Sequence, residues 1–274
     1  MLEKVKEKSL TIAIIVILIT GVSLLLYPTI SNHVNAAKQI TQIANYNRNV
    51  EKMTEQKQKK ILSDARDYNS SLRQGIVPNL NLTSNQMKVY NQTLNVTGQG
   101  IMAYVEIPKL NLELPVYHGT SDSVLRVALG HLPGTSLPVG GKGSHAVISG
   151  HRGLPSARLF TDIDQLVEGD TFKIQVIDKT LLYEVDRILT ISPEDRSPLR
   201  IDPNQDYVTL MTCTPYGINT ERLLVRGHRI ANKENSTRIV SEASQFQTII
   251  VVILISCFIL TIIFLAVVVI KLIK

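Results

Sequence analysis

The chain carries only two cysteines in 274 residues, Cys213 and Cys257, and this scarcity excludes a disulfide framework. Cys257 lies inside a long apolar run and reads as a small hydrophobe, so the two are not expected to pair. The net charge of +6 is spread along the chain. No dense basic stripe with interleaved aromatics occurs, which argues against nucleic acid as a partner. A basic domain beside an acidic lipid or wall surface accounts for the charge. P-loop, GxSxG and HExxH patterns are missing, as is any cluster with metal-ligand spacing, so neither a metal nor another cofactor is expected. The acids Asp162, Asp164, Glu168 and Asp170 read as solvated loop charge in preference to a cation site. There is no internal repeat.

What the chain does have is apolar sequence at both ends. Residues 10–27 and 249–270 are uncharged. At about 1.5 Å per residue, the first nearly matches a bilayer core of roughly 30 Å. Lys4, Lys6 and Lys8 precede the first run, and Lys271 and Lys274 follow the second. The positive-inside tendency then puts both termini in the cytoplasm and the intervening residues on the outer face of the cell membrane. The first run also has features of a cleaved signal peptide, with Val34-Asn35-Ala36 as a loose cleavage site, but it exceeds the usual h-region of about 7 to 15 residues. With cleavage, the second span would still anchor the domain.

Residues 1–30 therefore form a cytoplasmic tip and first span, and 248–274 the second span with its tip, preceded by a polar linker over 233–247. Residues 31–75 are polar and proline-free, which suits one or two surface helices, and 77–98 read as an irregular connection and possible lid. From residue 99 to 232, short β-rich runs alternate with turn signals: 102–107, 114–117, 146–149, 171–177, 181–191, 207–212 and 223–229. Such spacing indicates a mainly β barrel or sandwich. A helical turn is expected around 159–166, with Thr161 or Asp162 as its cap.

An unpaired cysteine in an exported domain is an oxidisable thiol where cysteines usually pair, which points to a chemical role. Cys213 ends one β-run and precedes Thr-Pro-Tyr-Gly, which cannot continue a ladder, and Arg222 opens the next run. If the two runs form a hairpin, Arg222 lies beside Cys213, with Cβ atoms about 5 Å apart when directly opposed. Arginine there can favour the thiolate or donate to a carbonyl that is developing negative charge. Its alternative is an ordinary ion pair at the barrel rim. Arg226 shares the face but lies about 13 Å further along the strand.

Thiol acyl transfer also needs a proton carrier, usually histidine. His33 and His228 read as structural or solvated, and His118 and His131 as ligands of loop backbone. His145 and His151 bracket the run Ala146-Val147-Ile148-Ser149-Gly150 and share a strand face by even spacing. His151 meets a loop suited to an active-site mouth, but spacing leaves the choice between them open.

Thr209-Leu210-Met211-Thr212-Cys213 resembles the TLxTC signature of sortases, with Arg222 where their arginine follows, and Ile148-Ser149-Gly150-His151 resembles the strand end bearing their histidine. The wording from Ser149 to Pro155 and from Cys213 to Thr220 is most similar to the pilus-assembling class C. The resemblance covers about 100–229. It implies an eight-stranded barrel with short helices, and catalysis by Cys213, His151 and Arg222 without a cofactor. Cys213 would attack an LPxTG-like sorting signal to give a thioester, His151 would act as acid then base, and Arg222 would hold substrate or oxyanion. Partners implied are pilin or other surface-protein subunits, whose lysine amine accepts the acyl group, and membrane lipid. The class's Asp-Pro-aromatic lid motif is missing from residues 77–85, so no lid is carried over. A thiol hydrolase of sorting signals is the alternative, and a non-catalytic tethered scaffold a further one. Product analysis with and without an added amine separates the first two.

Overall fold

The alternating runs close into a barrel. The computed structural model describes residues 2–72 and 77–232, together with Phe258 and Thr261. The second apolar run and the 233–247 linker otherwise lie outside the described residues. The chain divides into two compact units, residues 1–35 with 237–274 and residues 36–236.

In the first unit, helix α1 (Leu2–Glu51) begins and runs on past Pro28. The stretch from Ile12 is long and apolar enough to cross a membrane by length and composition. Its hydroxyls are satisfied within the helix: Thr20 Oγ1 donates to the Val16 carbonyl at 2.9 Å, and Ser23 Oγ to the Ile19 carbonyl at 2.7 Å. Both hydroxyls thus find their acceptor within the helix itself.

In the second unit, α1 buries Gln39, Ile43, Tyr46 and Val50, a helical stripe. Tyr46 Oη donates to the Met102 carbonyl at 3.1 Å and accepts from Ile177 N at 2.8 Å. Helix α2 (Glu55–Ser71) is capped by Thr54 and buries Leu62, Ala65 and Asn69. Asn69 ties it down through both backbone groups of Leu137, at 2.7 and 3.0 Å. Helix α3 (Ser84–Gln92) starts with a capping box between Thr83 and Gln86 and buries Tyr90. The single turn α4 spans Asp122–Leu125.

The eight strands are β1 (Ile101–Ile107), β2 (Leu112–His118), β3 (Leu129–His131), β4 (Ser144–Ser149), β5 (Thr171–Val176), β6 (Lys179–Ile191), β7 (Asp206–Thr214) and β8 (Glu221–Ile230). They close in the order β1-β2-β3-β4-β7-β8-β6-β5. The β2–β3 and β4–β7 pairs are parallel and the rest antiparallel. Alternate residues fill the interior, among them Val105, Ile148, Phe172, Leu210 and Val225. A second, outer cluster of Val147, Leu199 and Leu224 packs outside β4 and β8. Gly227 fits because any Cβ there would stand 2.7 Å from the Phe172 ring.

One strand is added and one reading is corrected. Strand β3 escapes the sequence pattern because three residues with Gly130 at the centre show no period. The 77–98 stretch is not wholly irregular, since α3 fills 84–92. The helical turn expected at 159–166 is present as a 3-10 turn, Ile163–Gln165, with Asp162 at its N-cap position; the Asp162 side chain makes no cap hydrogen bond and pairs with Arg158.

Candidate active site

Strands β4, β7 and β8 lie side by side, and their ladders set the level of every candidate residue. Along β7, Val208 and Leu210 face the core, which turns Thr209, Met211 and Cys213 outward. Cys213 is a free thiol, half-buried, and stands directly opposite Arg222 on β8. The expected hairpin is therefore present, with its ladder running one pair further, to Thr214 and Glu221. Arg222 Nη1 donates to the carbonyls of Asn219 and Glu221 at 3.2 and 3.0 Å. It belongs to none of the ion pairs among the described residues.

His151 arrives from β4. That strand's last pair with β7 is Ser149 with Met211, and the connection continues through Gly150 N to the Met211 carbonyl at 3.0 Å and Thr212 Oγ1 to the Gly150 carbonyl at 2.7 Å. His151 follows the Ser149–Met211 pair by two residues on the β4 side, as Cys213 does on β7. Gly150 is the residue this approach requires, since a Cβ would meet Leu129 at 2.7 Å and Phe160 at 2.8 Å. Phe160 N donates to the His151 carbonyl at 3.1 Å, fixing the loop from the other side.

His145, at the far end of β4, is 1% exposed and fully engaged. Its Nδ1 faces the Arg200 carbonyl at 3.0 Å, so that nitrogen carries the proton, and Nε2 accepts from Thr209 Oγ1 at 2.7 Å. Burial, reinforced by the nearby Arg226 charge, lowers its pKa to about 4. His118 and His131 bond backbone as expected. His118 meets the Gly100 and Thr93 carbonyls, and His131 meets the Ser136 carbonyl and the Tyr90 hydroxyl. Complete burial lowers the His131 pKa to about 3. Arg226 forks onto Asp186 at 3.0 and 2.8 Å and lies 4.1 Å from the centre of the Tyr207 ring.

The acids read as solvated charge are mostly paired: Asp162 with Arg158, Asp164 with Arg152, and Asp170 with Lys109. Among the described residues no group of three potential ligands could hold a metal. Arg152 is a residue that sequence reasoning missed, although its position beside His151 was signal enough to consider it. Its side chain is only 11% exposed. Nη1 donates to Thr214 Oγ1 at 3.2 Å, Nη2 binds Asp164, and the guanidinium carbon lies 5.9 Å from the centre of the Tyr216 ring.

Of the possible lid, residues 77–83 precede α3. The Asn79 backbone rests on Gly134, where a Cβ would stand 2.0 Å from the Asn79 oxygen.

A closed barrel that presents a free thiol near a strand end, opposite an arginine and with a histidine just past the end of the neighbouring strand, has the equipment of a cysteine acyl-transfer enzyme. The sortase domain model matches residues 105–230. The structure is similar to sortase C1 from Streptococcus agalactiae, with 46% identity and a TM-score of 0.68, covering 70% of this chain and 100% of that one. It is also similar to Streptococcus pneumoniae sortase C, whose description names pilin substrate specificity (37% identity, TM-score 0.62, 71% and 99% covered). A third similar structure is Clostridium perfringens sortase C with the C-terminal cell wall sorting motif (37% identity, TM-score 0.59, 70% and 100% covered). The chain belongs to the sortase family, which consists of cysteine transpeptidases. Against three curated sortases, at 28 to 30% identity, the match spans less than two thirds of their own lengths: 66%, 43% and 61%.

Proposed function

We propose that this chain is a membrane-tethered transpeptidase that cuts an LPxTG-like sorting signal and joins the acyl group to an amine, in particular a pilin lysine, so polymerising pilus subunits. The observation that carries this reading is the direct opposition of Cys213 and Arg222, with His151 following the end of the neighbouring strand β4. The similarity to pilus-class sortases, one described with pilin specificity and one with a sorting motif, supports the substrate class. Anchoring is supported by the apolar helix alone.

The Cys213 thiolate attacks the threonine carbonyl carbon, forming a C–S bond. Arg222 donates to the carbonyl oxygen as charge develops on it. As the C–N bond breaks, His151 gives a proton to the departing glycine amine. The acceptor amine then attacks the thioester carbonyl, His151 takes its proton, and the C–S bond breaks to return the thiolate. Both half-reactions use one set of groups, so atoms and charge balance without a cofactor.

The test incubates the full chain in detergent with an LPxTG-like peptide, with and without an amine acceptor, and follows products by mass spectrometry. An acyl adduct on Cys213 and an amide product that requires the acceptor are expected. Release of free acid at the same rate with and without acceptor would leave a hydrolase, and absence of any adduct would remove the enzymatic reading.

A further inference from the structure

We propose that Arg152 is a positioning residue that ties the His151 loop to the Cys213 strand and so holds imidazole and thiol in register. This rests on the proposed thiol chemistry.

The two catalytic candidates arrive on different strands, β4 and β7, and the ladder between those two strands stops short of both. Backbone pairing ends at Gly150 N with the Met211 carbonyl, one residue short of His151. Beyond that point side chains must set the spacing. Arg152 is the next residue after His151 and Thr214 the next after Cys213, and Arg152 Nη1 joins them at 3.2 Å. The opposite side of the guanidinium is held by Asp164, in the 3-10 turn that ends the same loop. The ring of Tyr216 lies over Gly153, where a Cβ would stand 2.9 Å away, and flanks Arg152 at 5.9 Å. The loop also closes on itself through Gly153 N and Thr161 Oγ1 at 3.2 Å. A planar fork can donate to a hydroxyl, pair with a carboxylate and lie against a ring at once, whereas a lysine ammonium offers a single point charge.

The effect should be seen in geometry, not in the thiol itself. Misplacing reacting groups by about 1 Å costs on the order of a hundredfold. Full-length wild type, C213A, R152A, R152K and T214V are purified in detergent, and two properties are read. The first is kcat and KM on an LPxTG-like peptide. The second is the pH profile of Cys213 alkylation by iodoacetamide, which needs no peptide turnover. R152A should change the shape of the wild-type alkylation profile and lower kcat by about a hundredfold at little-changed KM. R152K should recover less than a tenth of the loss, in keeping with the ammonium's poor match to a fork. T214V, which keeps the ion pair, should lose about three- to tenfold and carries the test if R152A does not fold.

A folded R152A whose alkylation profile matches wild type, or that turns over within threefold of it, overturns the inference. So does a loss that merely follows a lowered folded fraction. An inert wild type whose alkylation profile is altered in R152A sinks the proposed substrate while sustaining the positioning role.

Discussion

The same three strands carry two similar sets of side chains at opposite ends. At one end stand His145 on β4, Thr209 on β7 and Arg226 on β8, with Thr209 opposite Arg226. At the other, His151 follows β4, while Cys213 and Arg222 face each other. In the first set every ring nitrogen is bonded, the arginine forks onto Asp186, and a tyrosine lies beneath it. In the second, the thiol is unpaired and half-exposed, and the arginine holds only carbonyls of its own turn. Buried polar groups with all partners in place act as struts. Similar groups left free to take a partner at an open rim are available for chemistry.

Paired substitutions test that division, and the largest expected effect is at the nucleophile. C213A should abolish peptide cleavage while leaving the thermal midpoint within about 2 °C, whereas T209V should leave kcat nearly intact and cost about 1 kcal/mol of stability through the lost bond to His145. Measurable adduct or polymer formation by C213A would end the comparison. Next, H151A should lower kcat by about 10² to 10⁴ with little change in melting, and H145A should do the reverse, at about 1–3 kcal/mol. Equal kinetic losses in two well-folded variants would mean that both ends take part. For the arginines, R222K should lose about a hundred- to a thousandfold in rate, while R226K should mainly lower the melting temperature. A R222K enzyme within about threefold of wild type would reduce Arg222 to a point charge.

Acid should distinguish the struts on its own. His145 titrates at the ordinary histidine value of 6.5 when the chain is unfolded and at about 4 in the fold, so between those values the unfolded chain binds more protons. Its contribution is complete above pH 6.5 and is lost as pH falls toward 4. Urea midpoints measured across that window should fall with acid, and less steeply in H145Q. An unchanged slope would place the acid sensitivity elsewhere. The smallest effect is expected at residues 77–82, which carry no acid for Arg222 and no ring to cap Cys213. Replacing them with Gly/Ser, leaving the Thr83 cap, should change the rate of thiol alkylation by less than about tenfold, or roughly 1.4 kcal/mol of closure. A larger rise would reveal a working lid.

Seven of the eight strands were legible because each shows alternation between turn residues, and the Cys213–Arg222 opposition followed from two runs separated by a short turn. β3 left no trace of that kind. Helix α3 could have been read, since Thr83-Ser84-Asn85-Gln86 is a capping-box pattern, but the neighbouring Asn and Thr residues pointed to a loop. The choice between His145 and His151 was beyond spacing alone, because equal parity gives both the same face. The resemblance implied His151, and the structure adds that the Arg200 carbonyl, 55 positions away, occupies His145. A partner 62 positions away, Thr214, likewise explains why Arg152 was missed, and one 61 positions away, Lys109, pairs with Asp170.

Closure of the barrel in the order β1 through β5 gives its main strands neighbours on both sides. An extended peptide could therefore not be enlisted as a further strand, the usual way of gripping a chain by its main-chain amides regardless of sequence. A donor would have to be recognised through the shapes and polar groups of its side chains, on a wall whose own amides are already spoken for. Selectivity by side chain over main chain is then the expected behaviour of the architecture, before any particular contact is considered.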